Sequence, residues 1–244
     1  MIEEPLFSVF LHCFYEVEEI LEKLQPLEAF YPYWLFLNSV IQSRHFEKFS
    51  SSRFADLQIQ NIIHRRSTNV GKDIGGKLVL MDAYLRLGIK TKYLVFVHDK
   101  KSPHLADGRQ WFNNLIRIIH PPVVKSILEA FQKDARIGIV ASKGSVMKET
   151  NSLGRFQSNN GQVLSGLQER YNIYPKDPSY VAGTMFWVKS ELFTQFFSVF
   201  PPLEIRASLE EGNVLDNEAG TFTHSWERLL SWIVTSQGYF IKEV

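Results

Sequence analysis

Three clusters in this 244-residue chain bring together residue types at spacings that can do chemistry. The first is Asn69-Val70-Gly71-Lys72-Asp73-Ile74-Gly75-Gly76, where a strand pattern gives way to a helix pattern. Glycine permits a tight turn and close backbone approach, and a helix N-terminus beside a cation favours phosphate. The spacing is neither Gly-x-Gly-x-x-Gly nor the Gly-x4-Gly-Lys-Ser/Thr phosphate loop, so a structural turn capped by Asp73 is the plain alternative. The second cluster, His98-Asp99-Lys100-Lys101-Ser102-Pro103-His104, follows an apolar strand. Two histidines and two lysines there suit a diphosphate or another anion, lysine being a compact point charge; a solvated basic loop is the plain alternative. The third runs from Asp216 to Arg228 and includes Glu218, His224 and Glu227. A carboxylate within reach of a hydroxyl can act as general base. Glu218, just ahead of a helix and beside the small Ala219 and Gly220, is preferred to Asp216 for that role. His224, Glu227 and Arg228 are spaced to share a face of the helix, and ordinary capping with an i,i+4 pair is the plain alternative.

The elements that must position these clusters alternate along the chain. Phe7 to Phe14 reads as a strand buried on both faces. Val17 to Leu27 reads as an amphipathic helix with Val17, Ile20, Leu21 and Leu24 on one face. Strands are expected over Tyr33 to Val40, Leu57 to His64 and Tyr93 to Val97, a short helix over Ser50 to Phe54, and a helix over Gly75 to Leu87 ended by Gly88. Strands alternating with helices predict an α/β fold with a mostly parallel sheet, in which ligands bind at the carboxyl ends of the strands. The segments to inspect are therefore Tyr15-Glu16, Ser43-Arg44, Arg65 to Asp73 and His98 to Ser102. Further on, helices are expected over Pro122 to Gln132, Glu191 to Phe200 (capped by Ser190) and Thr223 to Thr235, and strands over Ile137 to Ala141 and Tyr180 to Lys189. Ser142 to Arg170 reads as loop with some helix, and Leu203 to Gly220 as an acidic loop.

Composition narrows the classes. Lys and Arg number 27 and Asp and Glu 26, a net charge of +1, which argues against a general nucleic-acid coat. The single cysteine, Cys13, rules out an intramolecular disulfide and a multi-cysteine zinc site, and its apolar surroundings suit a buried thiol. Met1-Ile2-Glu3-Glu4 is acidic where a signal peptide would be basic, and the apolar runs are too short to span a bilayer. The expectation is a cytoplasmic chain, able to sit at the inner face of a membrane, with no transmembrane segment.

Asn69-x-Gly71, a helix, then Tyr-Leu-Val-Phe-Val ending in charged residues resembles the nucleotide-binding half of GT-A glycosyltransferases. The positions of that family's metal-holding Asp-x-Asp fall here at His98 and Lys100, with Asp99 between. The chain also carries, in order, Asn69-x-Gly71-Lys72-Asp73-Ile74, His98-x-Lys100-Lys101-Ser102 with His104, Trp111, Ala182-Gly183-Thr184-Met185-Phe186-Trp187-Val188 and Gly220-Thr221-x-x-His224-x-x-Glu227-Arg228. Together these resemble the rhamnan-synthesis F family of polysaccharide glycosyltransferases from about residue 7 to about residue 235. Ala219 departs from that family's pattern, which has Asp before the Gly-Thr.

The resemblance implies a GT-A-like, Rossmann-like single domain over 1–244, with a nucleotide-sugar half to about residue 105 and an acceptor half beyond. It implies transfer, with inversion, of L-rhamnose or a related sugar from a nucleoside-diphosphate donor, dTDP-L-rhamnose foremost, to a glycan or lipid-linked glycan acceptor of a growing cell-surface polysaccharide. Donor-binding residues would be Asn69, Lys72, Asp73, His98, Asp99, Lys100 and Lys101. Catalytic candidates are Glu218, Asp216 and His224, and acceptor-binding candidates Trp187, Glu227 and Arg228. Phe186, Trp187 and Trp226 can stack on sugar rings or fill the core. Mg or Mn is a possible cofactor that need not be required: a lysine can replace the ion's charge, while His98 and Asp99 could still ligate it. The alternative is a catalytically inactive module that binds glycan or nucleotide sugar.

Overall fold

The computed structural model describes residues 5–15, 18–28, 32–43, 61–99 and 108–244. The expected short helix at Ser50 to Phe54, and Glu16, Val17, Arg44, Leu57, Lys100, Lys101, Ser102 and His104, lie outside the described residues.

Strand β1 (Phe7–Cys13) is buried along its whole length, and helix α1 (Glu18–Glu28) follows it. Strands β2 (Tyr33–Val40) and β3 (Asn61–Ser67) lead to helix α2 (Lys72–Leu87) and β4 (Tyr93–His98). Helices α3 (Gly108–Ile116) and α4 (Pro121–Lys133) come next, then β5 (Ile137–Ala141) and β6 (Val146–Lys148). Helix α5 (Gly161–Tyr171), β7 (Ser179–Val181) and β8 (Phe186–Lys189) precede α6 (Ser190–Val199) and α7 (Pro202–Ala207). Helix α8 (Phe222–Thr235) and β9 (Phe240–Glu243) end the chain.

Among the described residues one seven-stranded sheet has the order β3-β2-β1-β4-β8-β5-β9. Neighbours are parallel except for β8, which runs against β4 and β5. The expectation of an α/β, Rossmann-like, mostly parallel sheet flanked by helices is met. The continuous apolar runs of β1, β2 and β4 explain it, because a strand covered by helices on both sides has no polar face. One core packs Leu11, Leu35 and Val97 against α1 and α4; the other packs Phe10, Phe36 and Phe96 against α2, α6 and α8. Between β1 and β4 the strand order reverses direction, the place where open sheets of this kind leave a crevice.

Several boundaries move. Helix α2 starts at Lys72, three residues before the expected start, and its N-cap is Gly71 (φ 72°) rather than Asp73. Gly88 closes it in the left-handed conformation, as expected. The strand expected from Tyr180 to Lys189 is two strands in different sheets, β7 and β8. Between them Gly183 (φ 77°) and Thr184 (φ 51°) turn left-handed, and a β-branched residue adopts that conformation only when held there. Ser190 does not cap α6; its hydroxyl donates to the Thr91 carbonyl. Leu203 to Gly220 opens with helix α7 rather than loop, and β9 had no counterpart in the sequence reading.

Candidate active site

Two junctions build a cleft where α2 and α8 meet the carboxyl end of β4. At the first, the β3–α2 turn is fastened to the segment before α8. The Gly71 N–H donates to the Glu210 carbonyl (2.8 Å), the Gly212 N–H to the Asn69 carbonyl (2.7 Å), and Val70 bridges Glu211. Asn69 reinforces the join, its amide donating to Asn213 Oδ1 (3.1 Å). The Glu210 carboxylate then caps α8, accepting from the Phe222 and Thr223 N–H groups and the Thr223 hydroxyl. Burial opposes its charge, but these hydrogen bonds win and hold its pKa below the ordinary value. Thr221 is the N-cap, its Oγ1 accepting from the His224 N–H. The starts of α2 and α8 are thereby locked together, and Lys72 Nζ lies 3.4 Å from His224 Nε2 across 152 residues of chain.

At the second junction the Gly183–Thr184 turn is held from four sides. Lys77, fully buried, donates to the Thr184 carbonyl (2.9 Å) and hydroxyl, and pairs with Asp73 Oδ2 (2.9 Å). The Thr184 hydroxyl also donates to Asp73 Oδ2 (2.6 Å). The Gly183 carbonyl accepts from His98 Nε2–H (2.8 Å), and the Gly183 N–H donates to Glu227 Oε1 (2.7 Å). A Cβ at 183 would fall 2.6 Å from Leu115 Cδ1, so that side chain would have to shift, and the positive φ of 77° favours glycine whatever the space. The strained pair Lys72 (φ 51°) and Thr184 (φ 51°) face one cleft. Strain of this sort persists where the surroundings over-determine it, often at functional sites.

The cleft holds about 490 Å³ of space, including that open to solvent, and is lined by Lys72, Asp73, His98, Trp111, Gly183, Thr184, His224 and Glu227 among others. Of the sequence candidates it therefore brings together Lys72, Asp73, His98, His224 and Glu227. Behind them a buried ion triad fixes Glu227. Arg228 donates to Glu227 Oε2 (2.9 Å) and Glu149 Oε2 (2.8 Å), and lies 4.4 Å over the Tyr180 ring. Burial works against the guanidinium, yet the two carboxylates outweigh it and raise its pKa. The fully buried Asn160 supports the other side, donating to both oxygens of Asp216 (3.1 and 3.0 Å) and accepting the Thr221 N–H (2.8 Å).

Other candidates fall elsewhere. Trp187 is fully buried between Phe7 and Tyr93, with its indole N–H on the Ile118 carbonyl, so it fills the core and cannot stack on a sugar. Phe186 and Trp226 are likewise fully buried. Among the described residues the aromatic lining the cleft is Trp111, which the sequence singled out with the resemblance but to which it gave no role. Arg228 is buried behind Glu227, with its guanidinium on the Glu227 and Glu149 carboxylates. Asp99 is 1% exposed and turned inward, accepting the Phe14 and Tyr15 N–H groups at 2.6–3.0 Å. Glu218 is exposed on a turn with no hydrogen bond among the described residues, whereas Asp216 Oδ1 comes within 3.8 Å of His224 Nδ1. Sequence reasoning missed Lys77, Glu149 and Asn160, whose importance is burial and partnership rather than motif.

A family model described as rhamnan synthesis protein F matches residues 2–239. The chain belongs to this family. Two curated relatives, each named "Uncharacterized protein WxcX", come from Xanthomonas campestris pv. campestris strains B100 and ATCC 33913. Each is 26% identical over 171 residues, which is 68% of this chain. The chain spans 22% of the length of these relatives. Among solved structures, the mannosyltransferase PcManGT from Pyrobaculum calidifontis, in complex with GDP-Man and Mn²⁺, aligns with a TM-score of 0.42 at 11% identity, covering 100% of this chain and 55% of that one. In this rhamnan synthesis protein F chain, the Gly183-Thr184, His224 and Glu227 segments singled out in the sequence converge on a single cleft.

Proposed function

We propose that this chain is a GT-A-like glycosyltransferase that moves L-rhamnose from dTDP-L-rhamnose to a glycan or lipid-linked glycan acceptor of a cell-surface polysaccharide, with inversion. The observation that carries the reading is the cleft itself, in a chain of the rhamnan synthesis protein F family: a lysine at a helix N-terminus, a histidine and a carboxylate line one opening at the carboxyl end of β4. Lys72 and the first turn of α2 would take the donor's diphosphate. Asn69, fastened beneath that turn, Asp73 and His98 would shape the donor side, joined by Lys100 and Lys101. Trp111, which lines the cleft, would supply the apolar contact to a sugar ring. Attack by an acceptor hydroxyl on the anomeric carbon sends the bonding pair to the diphosphate, where a fixed cation stabilises the developing charge. The chain is read as one domain, with the nucleotide sugar held by residues up to about 105 and the acceptor by the remainder. No helix among the described residues is long and apolar enough to cross a membrane, and work at the inner membrane face is part of the proposal.

GT-A enzymes commonly hold a divalent ion after the equivalent of β4. The described residues do not fit one there. Asp99 commits both carboxylate oxygens to backbone N–H groups, and His98 commits Nε2 to the Gly183 carbonyl. No cluster of three His, Cys, Asp or Glu placed to hold a metal occurs among the described residues.

Thermal-shift titration with dTDP and dTDP-L-rhamnose tests the reading, with Mn²⁺, Mg²⁺ or EDTA present, since a ligand that binds only the folded state raises its melting point. Both nucleotides are expected to stabilise the chain equally in EDTA. Lys72→Ala should weaken dTDP binding roughly tenfold, more at low salt than at high, with its ligand-free melting point little changed. An unaltered affinity would remove Lys72 from the donor site. Binding without any sugar transfer would instead support an inactive binding module.

A further inference from the structure

The surroundings of His224 single it out within the cleft. Nδ1 lies 2.6 Å from Thr221 Oγ1 and 3.8 Å from Asp216 Oδ1, while Nε2 faces Lys72 Nζ at 3.4 Å. A lysine ammonium only donates, so the Nε2 it faces is the bare nitrogen and Nδ1 carries the hydrogen. Thr221 Oγ1 can receive that hydrogen, since it acts as an acceptor already toward the His224 backbone N–H. The ring is held from behind. Asn160 grips both Thr221 and Asp216, and a Cβ on Gly220 would come within 2.9 Å of the Asn159 carbonyl oxygen and Asn160 Cα. The competing carboxylates are less suited. Glu227 has one oxygen on the Gly183 N–H and the other on Arg228, and Glu218 stands exposed on its turn.

We propose that His224, through Nε2, takes the proton from the acceptor hydroxyl, and that Lys72 covers this nitrogen until an anionic donor draws the ammonium away. The proposal rests on the glycosyl-transfer reading of the cleft. In the step, the hydroxyl proton passes to Nε2, the oxygen bonds to the anomeric carbon, and the carbon–phosphate oxygen bond breaks with its electron pair leaving on the nucleoside diphosphate. The imidazolium so formed keeps its Nδ1 hydrogen toward Thr221, with the Asp216 carboxylate behind it. Because one lysine serves both the diphosphate and the resting histidine, donor binding precedes release of the base, and the acceptor meets an active histidine only when donor is in place.

The tautomer is read directly by long-range ¹H–¹⁵N correlation on the chain with ¹⁵N-labelled histidine, at a pH well above the ordinary imidazole value. The His224 signals are assigned by their loss in His224→Gln. The Nδ1–H form is expected, and an Nε2–H form would overturn the proposal. Saturation with dTDP should move the Nε2 resonance toward its position in Lys72→Met. An unmoved Nε2 in a dTDP-saturated sample would overturn the role of Lys72. His224→Gln should lower sugar transfer from dTDP-L-rhamnose by roughly 10²–10⁴-fold with dTDP affinity kept within about twofold, and Asp216→Asn should fall between it and the wild type. Near-normal turnover in His224→Gln would overturn the assignment. A wild-type chain that transfers no sugar fails the glycosyl-transfer reading itself, whereas the wrong tautomer in an active chain overturns this proposal alone.

Discussion

Lys77→Met is expected to lower the stability of the chain by about 3–5 kcal/mol and to disorganise the cleft with it. The Lys77 side chain is 1% exposed and its partner Asp73 14%. Methionine is close in volume, so the loss is electrostatic rather than a cavity. It removes the cation beside Asp73 Oδ2 and leaves the Thr184 carbonyl without the donor that holds it. Thr184 would then keep its left-handed φ without the Lys77 contacts, held by the Asp73 and Val181 hydrogen bonds and by those on Gly183, and the turn that presents Gly183 to His98 and Glu227 would loosen. The measurement is the urea midpoint at constant slope. Because replacing both members of a buried pair by neutral groups is far less costly than removing one, Lys77→Met with Asp73→Asn should recover part of the loss. A single variant within about 0.5 kcal/mol of the wild type would show that the turn is set by other contacts.

Arg228→Met is expected to have a similar cost, about 3–5 kcal/mol, by a different route. Arg228 neutralises two carboxylates at once, and Glu149 is 2% exposed at its side chain. Without the guanidinium the Glu149 carboxylate retains the Ser158 N–H (3.1 Å) and hydroxyl but sits in the interior with no cation from Arg228. Glu227 loses the Arg228 donor on Oε2, which weakens the hold on its carboxylate beside the Gly183 N–H. The cleft loses a fixed carboxylate, and under the proposed glycosyl transfer the expected result is a higher KM for the acceptor with donor affinity little altered. Adding Glu149→Gln to Arg228→Met should restore about half of the stability, since the uncompensated buried charge is then gone. If that double variant is no more stable than Arg228→Met alone, the cost lies instead in the packing of Arg228 against the Tyr180 ring.

How far the sequence could be read depended on whether a residue's role is local. The strands Phe7–Cys13, Tyr33–Val40, Tyr93–His98 and Ile137–Ala141 and the helix closed by Gly88 follow from apolar runs, periodicity and caps, which act within a few residues of chain. The mostly parallel sheet followed from their alternation. Lys72, Asp73 and His98 stand out in the sequence as polar groups at strand and helix ends, and His224 and Glu227 as groups sharing a helix face; all five line the cleft. Trp187 went wrong because alternation along a strand reveals which residues share a face but not what covers it. Here Trp187 packs among Phe7 and Tyr93.

The sequence by itself determined an α/β chain with chemistry gathered at three points and a family resemblance spanning nearly all of it. The tertiary structure alone decided that Lys72 meets His224, that Gly183–Thr184 breaks a strand into a turn held by Lys77 and Asp73, and that Asp216 rather than Glu218 stands behind the histidine. The physical reason is range. Periodicity and capping are interactions between near neighbours in sequence, while a buried ion pair or a shared carbonyl joins residues such as Lys77 and Thr184, or Glu149 and Arg228, whose proximity exists only after the sheet has closed around them.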